Sequence, residues 1–263
     1  MGTAILAGLL RSGIDASQIS VTTKTAANAA RLADEHGVTA SATETSANAN
    51  AKSVEGANII LVAVKPAYVI EVLAEIAASI DPNALVISVA GGITTGAMQA
   101  ALPETVAVIR SMPNTPAIVG KAVTGLAVGS RASSDQLLQA SALFETIGSV
   151  LVVGEDQIDQ LSTISGSGPA YVFFFIEQLT AAAIDMGFTA EQASMLVEQT
   201  FAGASELLLA SGRSPAELRK QVTSPNGTTM QAIAVFEDAN LHALFAKATA
   251  AALARAKEIA AAN

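Results

Sequence analysis

The 263-residue sequence contains no cysteine, which excludes disulfides, thiolate metal ligands and a cysteine nucleophile. Histidine is nearly as scarce. The only two are His36, beside Gly37 at the end of a predicted helix, and His242, in the last predicted helix. Neither joins carboxylates at ligand spacing, so the pattern supports no metal and no serine–histidine–acid triad. Positive charge is also short: 14 basic residues against 23 acidic ones leave a net charge of −9, the wrong balance for a nucleic-acid or membrane-surface partner. The densest apolar run, Val172 to Ile176, is soon followed by Glu177 and Gln178 and falls well short of a bilayer span. No basic stretch, apolar core and cleavage site open the sequence, so a cytoplasmic protein is expected. Aromatics make up only 4% while alanine is abundant, so the helices should pack closely through small side chains.

What is present is apolar material, 51% of the residues, enough for one large domain or two moderate ones. Ile5, Leu6, Leu9 and Leu10 recur at helical spacing up to Gly13, so the sequence opens with a helix. A strand over residues 19–23 and a helix over 25–36, closed by Gly37, make a first β–α step. Residues 39–53 are mostly Ala, Ser, Thr and Asn and read as a surface connection containing a helical turn. The apolar run from Asn58 to Val64 suits the interior of a parallel sheet covered on both faces, and Lys65-Pro66 stops it. Helices over 67–79 and 94–101 alternate with strands over 84–89 and 105–109, and weaker strands at 125–128 and 150–153 flank a helix over 134–145. This alternation predicts an α/β, doubly wound parallel, Rossmann-like sheet. From Asp156 onward strand signals vanish; after a long central pattern, helices follow over 189–210, 214–222, 228–236 and 241–262. The expected domains are 1–154, binding a dinucleotide, and an all-helical 155–263.

The central pattern, Asp156 to Met186, is interrupted by Ile164-Ser165-Gly166-Ser167-Gly168-Pro169-Ala170-Tyr171. Interior glycines cost roughly 1 kcal/mol each and an interior proline about 3 kcal/mol, so the break should have a use. It reads either as a short loop with Ser167 as cap and Pro169 in the first turn, or as backbone opened to a flat ligand; both can hold. Val172 to Ile176, Leu179, Ala182 and Ala183 then make the following helix apolar on almost every side, so other protein must pack all round it.

In a doubly wound sheet ligands bind beyond the carboxyl ends of the strands. There the sequence offers Thr22, Thr23, Lys24 and Thr25, hydroxyls and one cation with no carboxylate, which favours the 2′-phosphate of NADP. Ala63-Val64-Lys65-Pro66 and Ala90-Gly91-Gly92 could present backbone to a dinucleotide, or simply end strands. Arg110-Ser111-Met112-Pro113-Asn114-Thr115-Pro116 makes a stiff loop, suited to a nicotinamide or to a rigid connector. Thr223-Ser224-Pro225-Asn226-Gly227-Thr228-Thr229 opens a helix, as an ordinary capped turn or as a receptor for a carboxylate. Little acid–base machinery accompanies these stretches. That leaves hydride transfer as the leading chemistry, since the cofactor supplies the reactive group.

Four of these stretches, Ala63 to Pro66, Arg110 to Pro116, Ile164 to Tyr171 and Thr223 to Thr229, in this order and spacing closely resemble the pyrroline-5-carboxylate reductase family over essentially the whole sequence. The resemblance implies reduction of 1-pyrroline-5-carboxylate to L-proline with NADP(H), NAD(H) being the alternative donor, by a homodimer or higher oligomer whose helical domains interlock. It implies cofactor contacts at Met1, Gly2, Thr23, Lys24, Asn50, Val64, Lys65, Pro66, Met112, Pro113, Asn114 and Thr115. Ser224, Asn226, Gly227 and Thr228 would hold the substrate carboxylate, and Thr229 would bond the ring nitrogen as the catalytic residue. Asn226 replaces the first of two family glycines, which asparagine's tolerance of left-handed backbone should permit. Met1-Gly2 falls where the family's first strand and glycine-rich turn have just ended, so the sheet is expected to be N-terminally truncated. A remnant that only dimerises, or a reductase of another small carboxylate, are the alternatives; a hydroxy acid would need a general base.

Overall fold

The computed structural model describes residues 1–261, and the predicted end of the last helix at Ala262 lies outside them. Helices and strands alternate as α1 (Gly2–Arg11), β1 (Ser20–Thr23), α2 (Ala26–His36), β2 (Thr39–Ala42), α3 (Ala49–Val54), β3 (Ile59–Val62), α4 (Val69–Ile76), β4 (Leu85–Ser88), α5 (Thr95–Ala100) and β5 (Ala107–Met112). Then come β6 (Ala122–Val128), α6 (Ser134–Glu145), β7 (Gly148–Val152), α7 (Glu155–Leu161) and a π turn over Ser162–Gly166. The remainder is helical: α8 (Gly168–Asp185), α9 (Ala190–Ser211), α10 (Pro215–Gln221), α11 (Thr228–Asp238) and α12 (Leu241–Ala261). Local chemistry sets several of these limits. Thr25 caps α2 by accepting from the Asn28 N–H, Gly37 closes it at φ 69°, and Ser133 with Gln136 forms a capping box on α6.

Strands β3-β4-β5-β6-β7 form one sheet, and β1-β2 a separate parallel pair. Every pair is parallel except β5–β6, which run antiparallel with Ile109 opposite Val128 and Met112 opposite Gly125. The exception corrects the all-parallel expectation. Its cause is the connection 113–121, which holds only a 3-10 turn and is shorter than the dozen or so residues a parallel crossover needs. β2 is a second correction, because Thr39–Ala42 was expected as a surface connection. It pairs along the whole of β1, and Ala42 is buried at its end.

Among the described residues β1 and β3 are not paired with each other, so each keeps an open edge. Helix α1 serves both sheets. Ile5 packs with Leu85, Ile87, Ile109 and Phe144, while its neighbour Leu6 packs with Leu32 and Val38 and the partly buried Ile19 and Val21. Gly8 permits this seat, since a Cβ there would lie 2.3 Å from Ile147 Cγ2. β4 and nearly all of β5 are buried: 85–87 and 107–109 are continuous apolar runs, and the polar Ser88, Arg110 and Ser111 that follow them are buried too.

Two compact units result: Met1–Ser167 with the tail from Ala252 onward, and Gly168–Ala251. Helix α7 therefore goes with the sheet, for a specific reason. The Arg110 side chain, 3% exposed in β5, pairs with Glu155 Oε1 at 2.8 Å and Asp159 Oδ1 at 2.5 Å, and Glu155 Oε2 also accepts from the Thr95 N–H. In the second unit α8 has no buried residue of its own, with Phe173 63% and Phe174 57% exposed, although Phe175 meets Phe245 with ring centroids 5.9 Å apart. No helix among the described residues is long and apolar enough to cross a membrane. Replacing Arg110 by alanine leaves two part-buried carboxylates without their cation and should cost about 3–5 kcal/mol, read as a lower urea midpoint; a midpoint within experimental error of wild type would contradict the role given to this pair.

Candidate active site

At the carboxyl ends of the strands the first unit gathers most of the predicted dinucleotide contacts. Helix α1 begins there with Met1 as its cap residue and no side-chain cap bond, and Met1's carbonyl serves only the N–H groups of Ala4 and Ile5. Among the described residues the N–H groups of Gly2 and Thr3 are unpaired, and the helix dipole aims them at an incoming anion. A Cβ on Gly2 would meet Ala63 Cβ at 3.2 Å, so glycine lets the helix start lie against the exit of β3. Val64 and Lys65 are exposed just beyond that strand, and Pro66 opens a 3-10 turn into α4.

Two placements differ from the simplest sequence reading. Asn50, on α3, turns its amide to Glu75, donating from Nδ2 at 3.0 Å. At the end of β1, Thr23 Oγ1 donates to the Thr25 carbonyl and Lys24 is exposed, but a carboxylate also stands there: Glu44 Oε1 accepts from the Ala26 N–H at 2.5 Å. Sequence spacing did not reveal Glu44, because the β1–β2 pairing, not the local chain, brings it to α2.

After β5, Met112 is half-buried, Pro113 and Asn114 are buried, and Thr115 is exposed. Asn114 has its amide fully directed at protein: Oδ1 accepts from the Val123 N–H and Nδ2 donates to the Ser165 carbonyl, both at 2.9 Å. The second bond answers the break in the long helical pattern. Ser165's carbonyl would ordinarily receive the N–H four residues on, but that residue is Pro169, which has none. The π turn is held by Ser167 N–H to Ser162 O, and Gly166 fits because a Cβ would come within 3.0 Å of Ser162 Oγ and 3.3 Å of Met112 Cε. The interruption is therefore a π turn seated on the Met112–Asn114 loop.

In the second unit, Ser224 to Gly227 is a tight turn closed by Gly227 N–H to Ser224 O at 3.0 Å. Pro225 and Asn226, the latter at φ 58°, fill the central places as a type II turn demands, so asparagine does adopt the left-handed backbone. A Cβ on Gly227 would lie 2.5 Å from Ser224 Oγ, which would have to rotate away, and 3.1 Å from the Ser224 carbonyl oxygen, which would have to give slightly. Gly227 is also the cap residue of α11, and no side chain caps that helix. The first-turn N–H groups are thus free among the described residues, beside the hydroxyls of Ser224, Thr228 and Thr229. Such a helix start receives a carboxylate. Just upstream, the Ser214 hydroxyl, then its N–H, hold the Glu217 carboxyl below its ordinary range in the cap of α10. No group of His, Asp and Glu among the described residues could hold a metal.

A parallel-dominated α/β unit with free N–H groups at its first helix, followed in the chain by an all-helical unit, is the architecture of a dinucleotide-dependent oxidoreductase. Comparison with known proteins makes this specific. Residues 155–259 match the model for pyrroline-5-carboxylate reductase dimerisation, and residues 1–92 that for NADP oxidoreductase, coenzyme F420-dependent. Pyrroline-5-carboxylate reductases of Corynebacterium melassecola and Pseudomonas aeruginosa are 33% and 36% identical, over 98% and 99% of this chain and 95% and 93% of theirs. The solved structure of a pyrroline-5-carboxylate reductase from Coxiella burnetii superposes with a TM-score of 0.91 at 38% identity, over 98% of this chain and 94% of that one. The Plasmodium falciparum pyrroline carboxylate reductase, solved with NADP bound, gives 0.83 at 25% identity over 99% and 94%. The chain belongs to the pyrroline-5-carboxylate reductase family.

Asn114→Ala would leave the Ser165 carbonyl and Val123 N–H without partners and should destabilise the first unit by about 1–3 kcal/mol, measurable by urea denaturation. An unchanged midpoint would show that the amide does not clamp the π turn.

Proposed function

We propose that this chain reduces 1-pyrroline-5-carboxylate to L-proline with NADPH, NADH serving as an alternative donor. The observation that carries the reading is the uncapped start of α11 behind the Ser224–Gly227 turn, a receptor for the one fixed charge of the substrate. The first unit carries the dinucleotide and the second, Gly168–Ala251, the imine. The free N–H groups of Gly2 and Thr3, with no side chain on Gly2, fit a pyrophosphate. Thr23, Lys24, Val64, Lys65 and Pro66 line the rest of the nucleotide path, and Asn50 joins it only by releasing Glu75. Met112, Pro113 and Thr115 border the nicotinamide, which supplies the hydride when bound; Asn114 shapes that border from behind.

Ser224, Asn226, Gly227 and Thr228 hold the carboxylate, and the Thr229 hydroxyl donates to the ring nitrogen. That hydrogen bond polarises the C=N bond of the imine; once the nitrogen has taken a proton from solvent, the iminium N–H instead donates to the hydroxyl oxygen. The iminium carbon then takes the hydride with both its electrons, and the C=N π pair returns to nitrogen as a lone pair. Holding that carbon about 3–3.5 Å from the donor supplies most of the acceleration, and no strong general base is required. The product is a secondary amine and carries the same carboxylate. The exposed apolar side chains of α8, together with the match to a dimerisation family, support a homodimer in which a second copy covers them, working in the cytoplasm.

A chain that only dimerises is the second reading, favoured by the open edges of β1 and β3 beside the nucleotide site. Titrating the protein with NADPH separates the two: the reductase quenches or enhances nucleotide fluorescence saturably, the dimerising remnant leaves it flat. For the reductase, loss of NADPH absorbance with pyrroline carboxylate reports turnover, and Thr229→Ala should lower kcat on the order of 10²-fold while NADPH affinity falls much less. Equal loss of turnover and NADPH affinity would remove Thr229 from the imine.

A further inference from the structure

The end of β1 decides between the two nucleotides, because that is where the adenosine ribose of a dinucleotide lies in such a sheet. Read along the chain, the position holds hydroxyls and Lys24 but no acid. In the fold the β1–β2 ladder runs on past both strands: the Thr43 N–H donates to the Thr23 carbonyl at 2.9 Å and the Glu44 N–H to the Lys24 carbonyl at 3.1 Å. The backbone of Glu44 is thereby fixed beside Lys24, and its carboxylate takes the Ala26 N–H that opens α2. Thr23's hydroxyl hydrogen is committed to the Thr25 carbonyl, and Thr25 Oγ1 to the Asn28 N–H. Lys24 has no ion-pair partner among the described residues.

A 2′-phosphate, carrying between one and two negative charges, would draw on Lys24 and the N–H groups at the start of α2. It finds the first of those N–H groups already answered by an anion. A ribose 2′-hydroxyl meets the same carboxylate as a hydrogen-bond acceptor. We propose that Glu44 is a specificity-determining residue that restrains the preference for NADPH over NADH, opposing Lys24 across one ribose. The assignment rests on the reductase reading above, but the charge arrangement that carries it lies wholly within β1, α2 and the turn after β2.

The test uses the full chain with Glu44→Ala, Glu44→Gln and Lys24→Ala. The ratio of kcat/KM for NADPH to that for NADH should rise on the order of tenfold in Glu44→Ala, chiefly through a lower KM for NADPH. Glu44→Gln, which keeps an acceptor for Ala26 but no charge, should show most of that rise, and Lys24→Ala should move the ratio down. Calorimetry with adenosine 2′,5′-bisphosphate and adenosine 5′-monophosphate should show the same changes in relative affinity without any turnover. A ratio that stays put or falls in both Glu44 variants overturns the proposal. Failure of the reductase reading looks different: pyrroline carboxylate is not turned over, while the two adenosine probes still report the discrimination.

Discussion

A guanidinium sealed inside a sheet must be met by anions, and the burial of Arg110 dictates much of what surrounds the Ser111–Pro116 stretch. Its two carboxylates both come from α7, so the helix after the last strand is drawn onto β5 and β6. Leu161 and Ile158 on that helix close over Gly125, where a Cβ would lie 2.7 Å from Leu161 Cδ1. With α7 placed, the π turn that follows is delivered to Asn114. An electrostatic requirement one residue before the Ser111–Pro116 stretch thus fixes where its backbone and its partner turn can be.

Under the proposed function the two units divide the chemical labour. The first offers free N–H groups at the start of α1 and a rigid border built from Pro113 and a committed Asn114. The second offers hydroxyls and the uncapped start of α11. Its turn, residues 223–229, contains no ionisable side chain. In the proposed reaction such a turn would work by placement and by hydrogen bonds, which suffice for moving a hydride to an already electrophilic carbon.

Buried strands were legible in the sequence because burial on both faces leaves an unbroken apolar run, as at 85–87 and 107–109; β5 runs on through Arg110, Ser111 and Met112, which had read as loop. Helix α6 folds over the residues expected for it, 134–145, and the turn at Pro225-Asn226 was legible through the backbone preferences of those two residues. β2 was not, since its Thr, Ala and Ser residues carry no alternating pattern and become a strand only by pairing with β1. The reversal of β6 depended on loop length rather than on the strand's own residues. Asn114 was found as a motif residue, but its partner follows from a missing N–H at Pro169, a relation between segments far apart in the chain. Glu44 escaped notice for the same reason.

The pairing of β1 with only β2 has a further consequence. A two-stranded ribbon of four-residue strands, held by the small cluster of Leu6, Leu32 and Val38, is far less cooperative than the five-stranded sheet beside it. Such a ribbon should open sub-globally before β4 and β5 do. The residues proposed to sort one nucleotide from another ride on that ribbon, and a bound adenosine would then act as a splint, lending its own affinity to the ribbon's closure.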